Sequence, residues 1–423
     1  MATDTWTAAG DPARAPRSAR LWEPVAWWAG ITVVVLWVQQ VAYRATYQGL
    51  HRWSDWLPGR FAAYQGRVAW DSGLYLRVAE HGYHRSEQLE AGFPAYSLAI
   101  RWTSAVFGDA QNAGVALTLL FGLAAAVLLW VWTGQQGLDL RARRTTLLLL
   151  LLYPWAFVLY GVVYSDAMLL ALVLGTAVLV SSQRWVLAGL VAGLATATRP
   201  TALVLVPFLL AAVLESSGAV TVPTTMPASG GARDRARAGW VSVRGVRWQR
   251  GHLRPVHAGV LLSLWGVAAY MVFLQRHTGN PFYFWTLQDA DYGHGGLLDP
   301  RTWLKVSMVE KPLLEIHSVG DVLNELGATA VLVGVVASSA AVGRRFGRAY
   351  TVLMVLLSLN VWVFCRWVAP GGRYLLPVVP FVAAWLSPRL GARPAVRNGV
   401  LAASGLTMLV LAAGFAGLFG LHW

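Results

Sequence analysis

Apolar stretches of roughly 15 to 20 residues recur along nearly the whole chain, a length suited to crossing a hydrocarbon core of about 30 Å. They do not alternate apolar with polar positions, which argues against barrel strands. Helices are then the spanning structure that satisfies every backbone group within its own segment. The pattern predicts an all-α polytopic membrane protein of about eleven transmembrane helices. The spans are expected near residues 25–43, 112–132, 145–163, 167–182, 185–198, 200–214, 257–276, 321–342, 350–367, 373–388 and 398–420.

Two of these placements rest on single residues. Between Thr145 and Ser181 the only charge is Asp166, and the stretch is long enough for two crossings with a turn at Tyr164-Ser165-Asp166. Between Trp185 and Leu214 the chain is either one kinked helix or two short ones broken at Arg199-Pro200, because proline disfavours helix in the residue before it. Arginine decides. With two helices, Arg141, Arg143 and Arg144, the run from Arg233 to Arg254, then Arg344, Arg345 and Arg348, then Arg389, Arg393 and Arg397 all fall on the side of the N-terminus. A single helix would send the arginine-rich loop to the opposite side and invert every later one. The positive-inside rule therefore predicts a cytoplasmic N-terminus and an outward C-terminus in the plasma membrane.

The expected organisation is a cytoplasmic tail (1–24), an N-terminal membrane module (25–214) with a long outward loop at 44–111, a basic flexible cytoplasmic loop (215–256), and a C-terminal module (257–423) with an outward loop at 277–320. The first apolar run follows Arg14, Arg17 and Arg20 as a secretory signal would. It is longer than a signal core and lacks a small-x-small cleavage site, so it reads as a retained span.

Composition changes little of this. Hydrophobic residues make up 56% and charged ones 13%, while the formal net charge of +14 is almost wholly arginine, since Lys305 and Lys311 are the only lysines. Basic residues gathered in short loops between apolar runs act as orientation signals, so nucleic acid is not an expected partner. The single cysteine, Cys365, excludes an intrachain disulfide and a cysteine metal cluster.

Candidate chemistry concentrates in the outward segments. The densest run is Trp70-Asp71-Ser72-Gly73-Leu74-Tyr75, continuing to Glu80-His81-Gly82-Tyr83. Asp71 precedes a helix-compatible stretch able to lie on the membrane surface, and it reads as a helix N-cap, as a carboxylate facing a site, or as both. Glu80 and His81 admit a general-base reading or plain solvation. Asp166, an ionisable group at membrane depth, is costly unless paired or wet, and reads equally as a second acidic candidate or as a helix cap. Arg199 and Arg373 stand at helix breaks on the outward side, against the arginine bias. A guanidinium suits bidentate phosphate binding, and the competing reading is snorkelling to lipid headgroups. Gly371 and Gly372 would let backbone N–H groups approach an anion beside Arg373.

The run from Trp70 to Tyr83, Phe93-Pro94-x-Tyr96, Tyr164-Ser165-Asp166, Ala197-Thr198-Arg199-Pro200-Thr201 and Gly372-Arg373-Tyr374-Leu375-x-Pro377 together resemble the phosphatidylinositol-glycan class V mannosyltransferase family in its bacterial branch. The patches occur in the family's order across most of the chain. Leu74 and Ser97 depart from it, standing where the family often has a second tryptophan and a second proline. The resemblance implies the C-type glycosyltransferase architecture, with Asp71 as the catalytic acidic residue of a long first extracytoplasmic loop. It also implies a polyprenyl-phosphate sugar donor. Trp70, Tyr75, Glu80 and His81 would shape that loop, and Arg373 and Arg199 would bind the donor phosphate.

The expected activity is transfer of a sugar, mannose by the resemblance, from the polyprenyl-phosphate donor to a hydroxyl of a glycolipid or glycan acceptor, with inversion. A lipid phosphate leaving group is already ionised, so neither metal nor cofactor is expected. A glycolipid transporter or flippase would use the same arginines for phosphate, and a membrane scaffold would use none of these residues chemically.

Overall fold

The structure, a computed structural model, describes residues 20–47, 65–83, 89–221, 247–248, 250–290, 319–365 and 371–417. Most of the basic loop, Lys305 and Lys311, and most of the second outward loop lie outside the described residues. The described chain is helical apart from a two-residue pairing of Val220–Thr221 with Arg247–Trp248.

The helices are α1 (Trp22–Tyr47), α2 (Ser72–His81), α3 (Pro94–Phe107), α4 (Ala110–Gln135), α5 (Leu140–Leu151), α6 (Asp166–Ser181), α7 (Trp185–Thr196) and α8 (Leu205–Ser216). After the basic loop follow α9 (Trp265–Thr278), α10 (Tyr283–Ala290), α11 (Val319–Phe346), α12 (Arg348–Phe364), α13 (Gly371–Tyr374), α14 (Val379–Gly391) and α15 (Pro394–Phe415). Among the described residues, five helical segments are long and apolar enough to cross a membrane: Trp22–Tyr47, Ala110–Gln135, Pro255–Thr278, Asn324–Phe346 and Pro394–Phe415.

Several breaks have a local cause. A straight span over 145–163 does not form, because Pro154 lacks an N–H and bars helix from Tyr153, which is extended; the chain continues as a 3-10 helix over Pro154–Leu159 and turns at Gly161 with φ +89°. The stretch 185–214 is two helices, with Arg199 extended ahead of Pro200. The outward loop contains more helix than its polarity suggested. Pro94 opens α3 at a position where its missing N–H costs nothing, and α2 is not a surface helix, since Ser72, Tyr75, Leu76, Val78 and Ala79 are buried against its neighbours.

One apolar core runs from the α4 and α6 pair through α5 and α14 to α11, α12 and α15. Small residues allow the closest approaches. A side chain on Gly193 would run into the indole of Trp265, and one on Gly266 into the carbonyl of Gly193, so α7 and α9 meet backbone to backbone.

Polar contacts sort by side. Glu23 binds Arg144 through both oxygens, at 2.6 and 2.9 Å, and Glu215 accepts the backbone N–H of Arg348 at 3.0 Å. These residues all belong to the side that arginine counting assigns to the N-terminus. Among the described residues, Glu90 pairs with His277, and the four charged candidates described next pair with one another; all six are assigned to the opposite side.

Candidate functional site

Asp71 sits at the N-terminus of α2 but does not cap it: its backbone is helical (φ −57°) and its side chain makes no capping hydrogen bond. The carboxylate instead accepts from Arg373, with Nη2 to Oδ2 at 3.1 Å, across 302 residues of sequence. Just before it, Trp70 takes φ +53°, a left-handed conformation that a bulky residue adopts only where the surroundings hold it there.

Asp166 opens α6 and is 3% exposed. Its Oδ1 accepts from Arg199 Nη1 at 2.6 Å and lies 3.8 Å from Arg373 Nε, while its Oδ2 is buried without a hydrogen-bond partner. Two carboxylates and two guanidiniums, carried by four separate stretches of chain, thus form one connected cluster of zero formal charge.

Aromatic rings hold the cations. The Arg373 guanidinium lies 4.6 Å from the Tyr164 ring and 5.1 Å from the Tyr374 ring, and Arg199 lies 5.1 Å from that same Tyr374 ring. Both arginine side chains are 12% exposed, so neither snorkels to the surface. Burial opposes the charge of each guanidinium. At Arg199 the Asp166 carboxylate, together with Tyr75 and Tyr374, outweighs that burial, so this guanidinium stays above the ordinary arginine pKa and remains cationic.

The frame around the cluster ties the conspicuous sequence patches to one another. The Ala95 N–H, one of the donors left open at the start of α3, is taken by the Ala197 carbonyl at 2.9 Å, two residues before Arg199. Tyr75 on α2 hydrogen-bonds Ser165, the neighbour of Asp166, at 2.8 Å. Tyr96 bonds Thr118 at 2.7 Å, and Thr118 donates to the Val162 carbonyl at 2.9 Å, pinning the turn that carries Tyr164. Gly371 and Gly372 do not offer an open anion nest. Both are buried, a side chain on Gly372 would enter the Trp155 ring, and the Gly372 carbonyl accepts from Tyr153 at 2.7 Å.

Of the sequence candidates, Asp71, Asp166, Arg199, Arg373 and Tyr75 are thus brought together, and Trp70 adjoins them. Glu80 and His81 are exposed at the far end of α2, roughly 14 Å along its axis from Asp71. Sequence reading missed Tyr374, although it directly follows Arg373, and it missed the buried Arg67, whose Nη2 donates to the Leu36 carbonyl at 2.9 Å and whose pKa burial holds down to about 10. It also missed Glu90, wholly buried with His277 Nε2 at 3.3 Å, beside the Tyr83, Phe93, Tyr270 and Phe284 cluster.

No protein-family model matches the sequence, and no curated protein matches it. Two solved structures of the Archaeoglobus fulgidus oligosaccharyltransferase AglB show some similarity to this chain. The first, tethered with an acceptor peptide through a disulfide, has a TM-score of 0.45 at 11% identity, covering 92% of this chain and 55% of the other. The second, in complex with an inhibitory peptide and a dolichol-phosphate, has a TM-score of 0.42 at 10% identity over 93% and 56%. The chain therefore spans about half the length of the structures it matches.

Proposed function

We propose that this protein is a membrane-embedded glycosyltransferase of C-type architecture with about eleven spans. It would move a hexose, mannose by the family resemblance, from a polyprenyl-phosphate donor to a hydroxyl of a glycolipid or glycan. The observation that carries the reading is the direct contact between Asp71 and Arg373, backed by Asp166 and Arg199. One half-exposed carboxylate, 45% accessible, contacts a buried cation, and a second buried cation is linked to it through Asp166 and the Tyr374 ring; a carboxylate and cations are the two functions such a transfer requires.

A hydroxyl is a poor nucleophile near neutral pH, so a positioned carboxylate that accepts its proton contributes typically about 10² to 10⁴ in rate. In this scheme Asp71 takes the acceptor proton as the acceptor oxygen forms its bond to the anomeric carbon. The bond from that carbon to the phosphate oxygen breaks, and its electron pair leaves on the lipid phosphate. Attack opposite the leaving group inverts the anomeric centre. Arg373 and Arg199 meet the charge that grows on the phosphate, and they stabilise the transition state more than the ground state. Each guanidinium has five N–H donors, so the pairing with aspartate leaves donors for a phosphate.

The cluster faces the extracytoplasmic side in this reading, with the N-terminus in the cytoplasm of a cell whose plasma membrane holds the protein. In a Cys365→Ser background, an impermeant maleimide applied to intact cells should label a cysteine at His81 and spare one at Ser229; labelling at Ser229 would refute the orientation.

The donor-binding role is tested on purified variants with a polyprenyl-phosphate hexose. Charge-assisted hydrogen bonds are worth about 1.5 to 3 kcal/mol each, so Arg373→Ala should weaken donor binding about ten- to a hundredfold. Arg373→Lys keeps the charge, loses the fork, and should also weaken it measurably. Unchanged affinity in Arg373→Ala and in Arg199→Ala would remove the arginines from the donor site.

A further inference from the structure

We infer that the Asp71 carboxylate and the donor phosphate compete for one edge of the Arg373 guanidinium, so that phosphate binding releases the carboxylate that receives the acceptor proton. The inference rests on the proposed function and adds an order of events to it.

The two carboxylates of the cluster are held unequally. Asp166 is nearly inaccessible, makes the short contact to Arg199, and stands beside the Nε of Arg373 as well. Asp71 is about half exposed, and among the described residues its carboxylate is held by one ion pair, at 3.1 Å. Helix α2 does not hold its side chain either, since that side chain makes no capping bond. Of the two, Asp71 is the one free to leave.

Arg373, by contrast, keeps its position whether or not Asp71 stays. Its guanidinium lies against the Tyr164 and Tyr374 rings with Asp166 on its Nε side. Its short helix is anchored through Gly372 to Tyr153 and Trp155. The cation is therefore a fixed post with one replaceable partner. A phosphate carries more charge than a carboxylate and matches the guanidinium fork, so it is the stronger claimant for the edge at Nη2.

The exchange has a chemical consequence. While Asp71 Oδ2 accepts from Arg373, part of the carboxylate's acceptor capacity is taken by the guanidinium. Once a phosphate takes its place, both oxygens are free beside the donor. The carboxylate is thus rid of its guanidinium partner only when the donor is bound, which favours activation of the acceptor at that stage.

The test uses full-length protein in detergent, with farnesyl phosphate as the probe and farnesol as its uncharged control. Wild type should bind the phosphate and discriminate against the alcohol. Asp71→Asn and Asp71→Ser should each bind farnesyl phosphate roughly two- to fivefold more tightly, the range expected when a competing, partly exposed ion pair is removed. Misfolding only weakens binding, so a gain in both variants reports the lost competitor. The gain should disappear in an Arg373→Met background. If it persists there, a general field effect explains it and the competition is overturned. Wild-type affinity in both Asp71 variants overturns the competition and leaves the phosphate site standing. Failure of the wild type itself to distinguish farnesyl phosphate from farnesol would remove both.

Discussion

Replacing Asp71 with asparagine is expected to lower turnover by at least about a hundredfold while donor binding is retained, because in the proposed function the residue deprotonates the acceptor and is not what holds the donor. Asparagine has nearly the same shape, and it cannot take up a proton at neutral pH. The fold should tolerate it. Asp71 is half exposed, its side chain caps nothing, and an ion pair of that exposure contributes about 0 to 1 kcal/mol, so the thermal midpoint should hardly move. Single-turnover kinetics with a polyprenyl-phosphate hexose on purified protein separate the two effects. Near-normal turnover in Asp71→Asn would refute the assignment of the base.

The second large effect is expected at Asp166 and is one of stability. Asp166→Ala removes a carboxylate that is 3% exposed, leaving Arg199 and Arg373 at one tyrosine ring with Asp71, which contacts Arg373 and not Arg199 among the described residues, as the cluster's remaining carboxylate. Removing one partner of a buried pair costs about 3 to 5 kcal/mol, because the remaining charge stays buried without compensation. The variant should unfold at clearly lower temperature in detergent, and Asp166→Asn should share much of the loss, since it too is neutral. Melting indistinguishable from wild type in both would show that the arginines have another counter-charge. The contrast between Asp71, costly to rate and cheap to stability, and Asp166, costly to stability, distinguishes the roles of the two carboxylates.

The apolar segments were legible because length and continuity of hydrophobic runs are one-dimensional properties. The expected sorting into two sides rests on arginines clustering in alternate loops, and the pairs Glu23 with Arg144 and Asp71 with Arg373 each join residues that this sorting puts together. The interior of the outward loop was not legible. Helix α3 contains Ser97, Arg101, Thr103 and Ser104 among its apolar positions, which masks its period, and its anchorage through Ala95 to Ala197 depends on chain a hundred residues away. The 3-10 turn at Pro154–Leu159 was signalled by proline and was outweighed by the apolar run around it.

The residues of the cluster stand out one by one in the sequence, but their arrangement does not. An aspartate alone in an apolar stretch and arginines at helix breaks stand out in sequence. No local pattern says that Asp71 pairs with Arg373 rather than capping α2, or that Gly372 makes room for Trp155 rather than for an anion. Those facts come from the docking of α13 against the turn before α6, a contact between remote segments.

The central claim is sugar transfer at this cluster, and reconstituted vesicles test it most directly. Wild-type and Asp71→Asn protein would be supplied with a labelled polyprenyl-phosphate hexose and membrane lipid extract, and the products followed by mass spectrometry. The account predicts an acceptor that gains one hexose with matching release of polyprenyl phosphate in the wild type, and neither in Asp71→Asn although the donor still binds. Intact donor crossing the bilayer at equal rates in both proteins, with no hexose transferred, would contradict it.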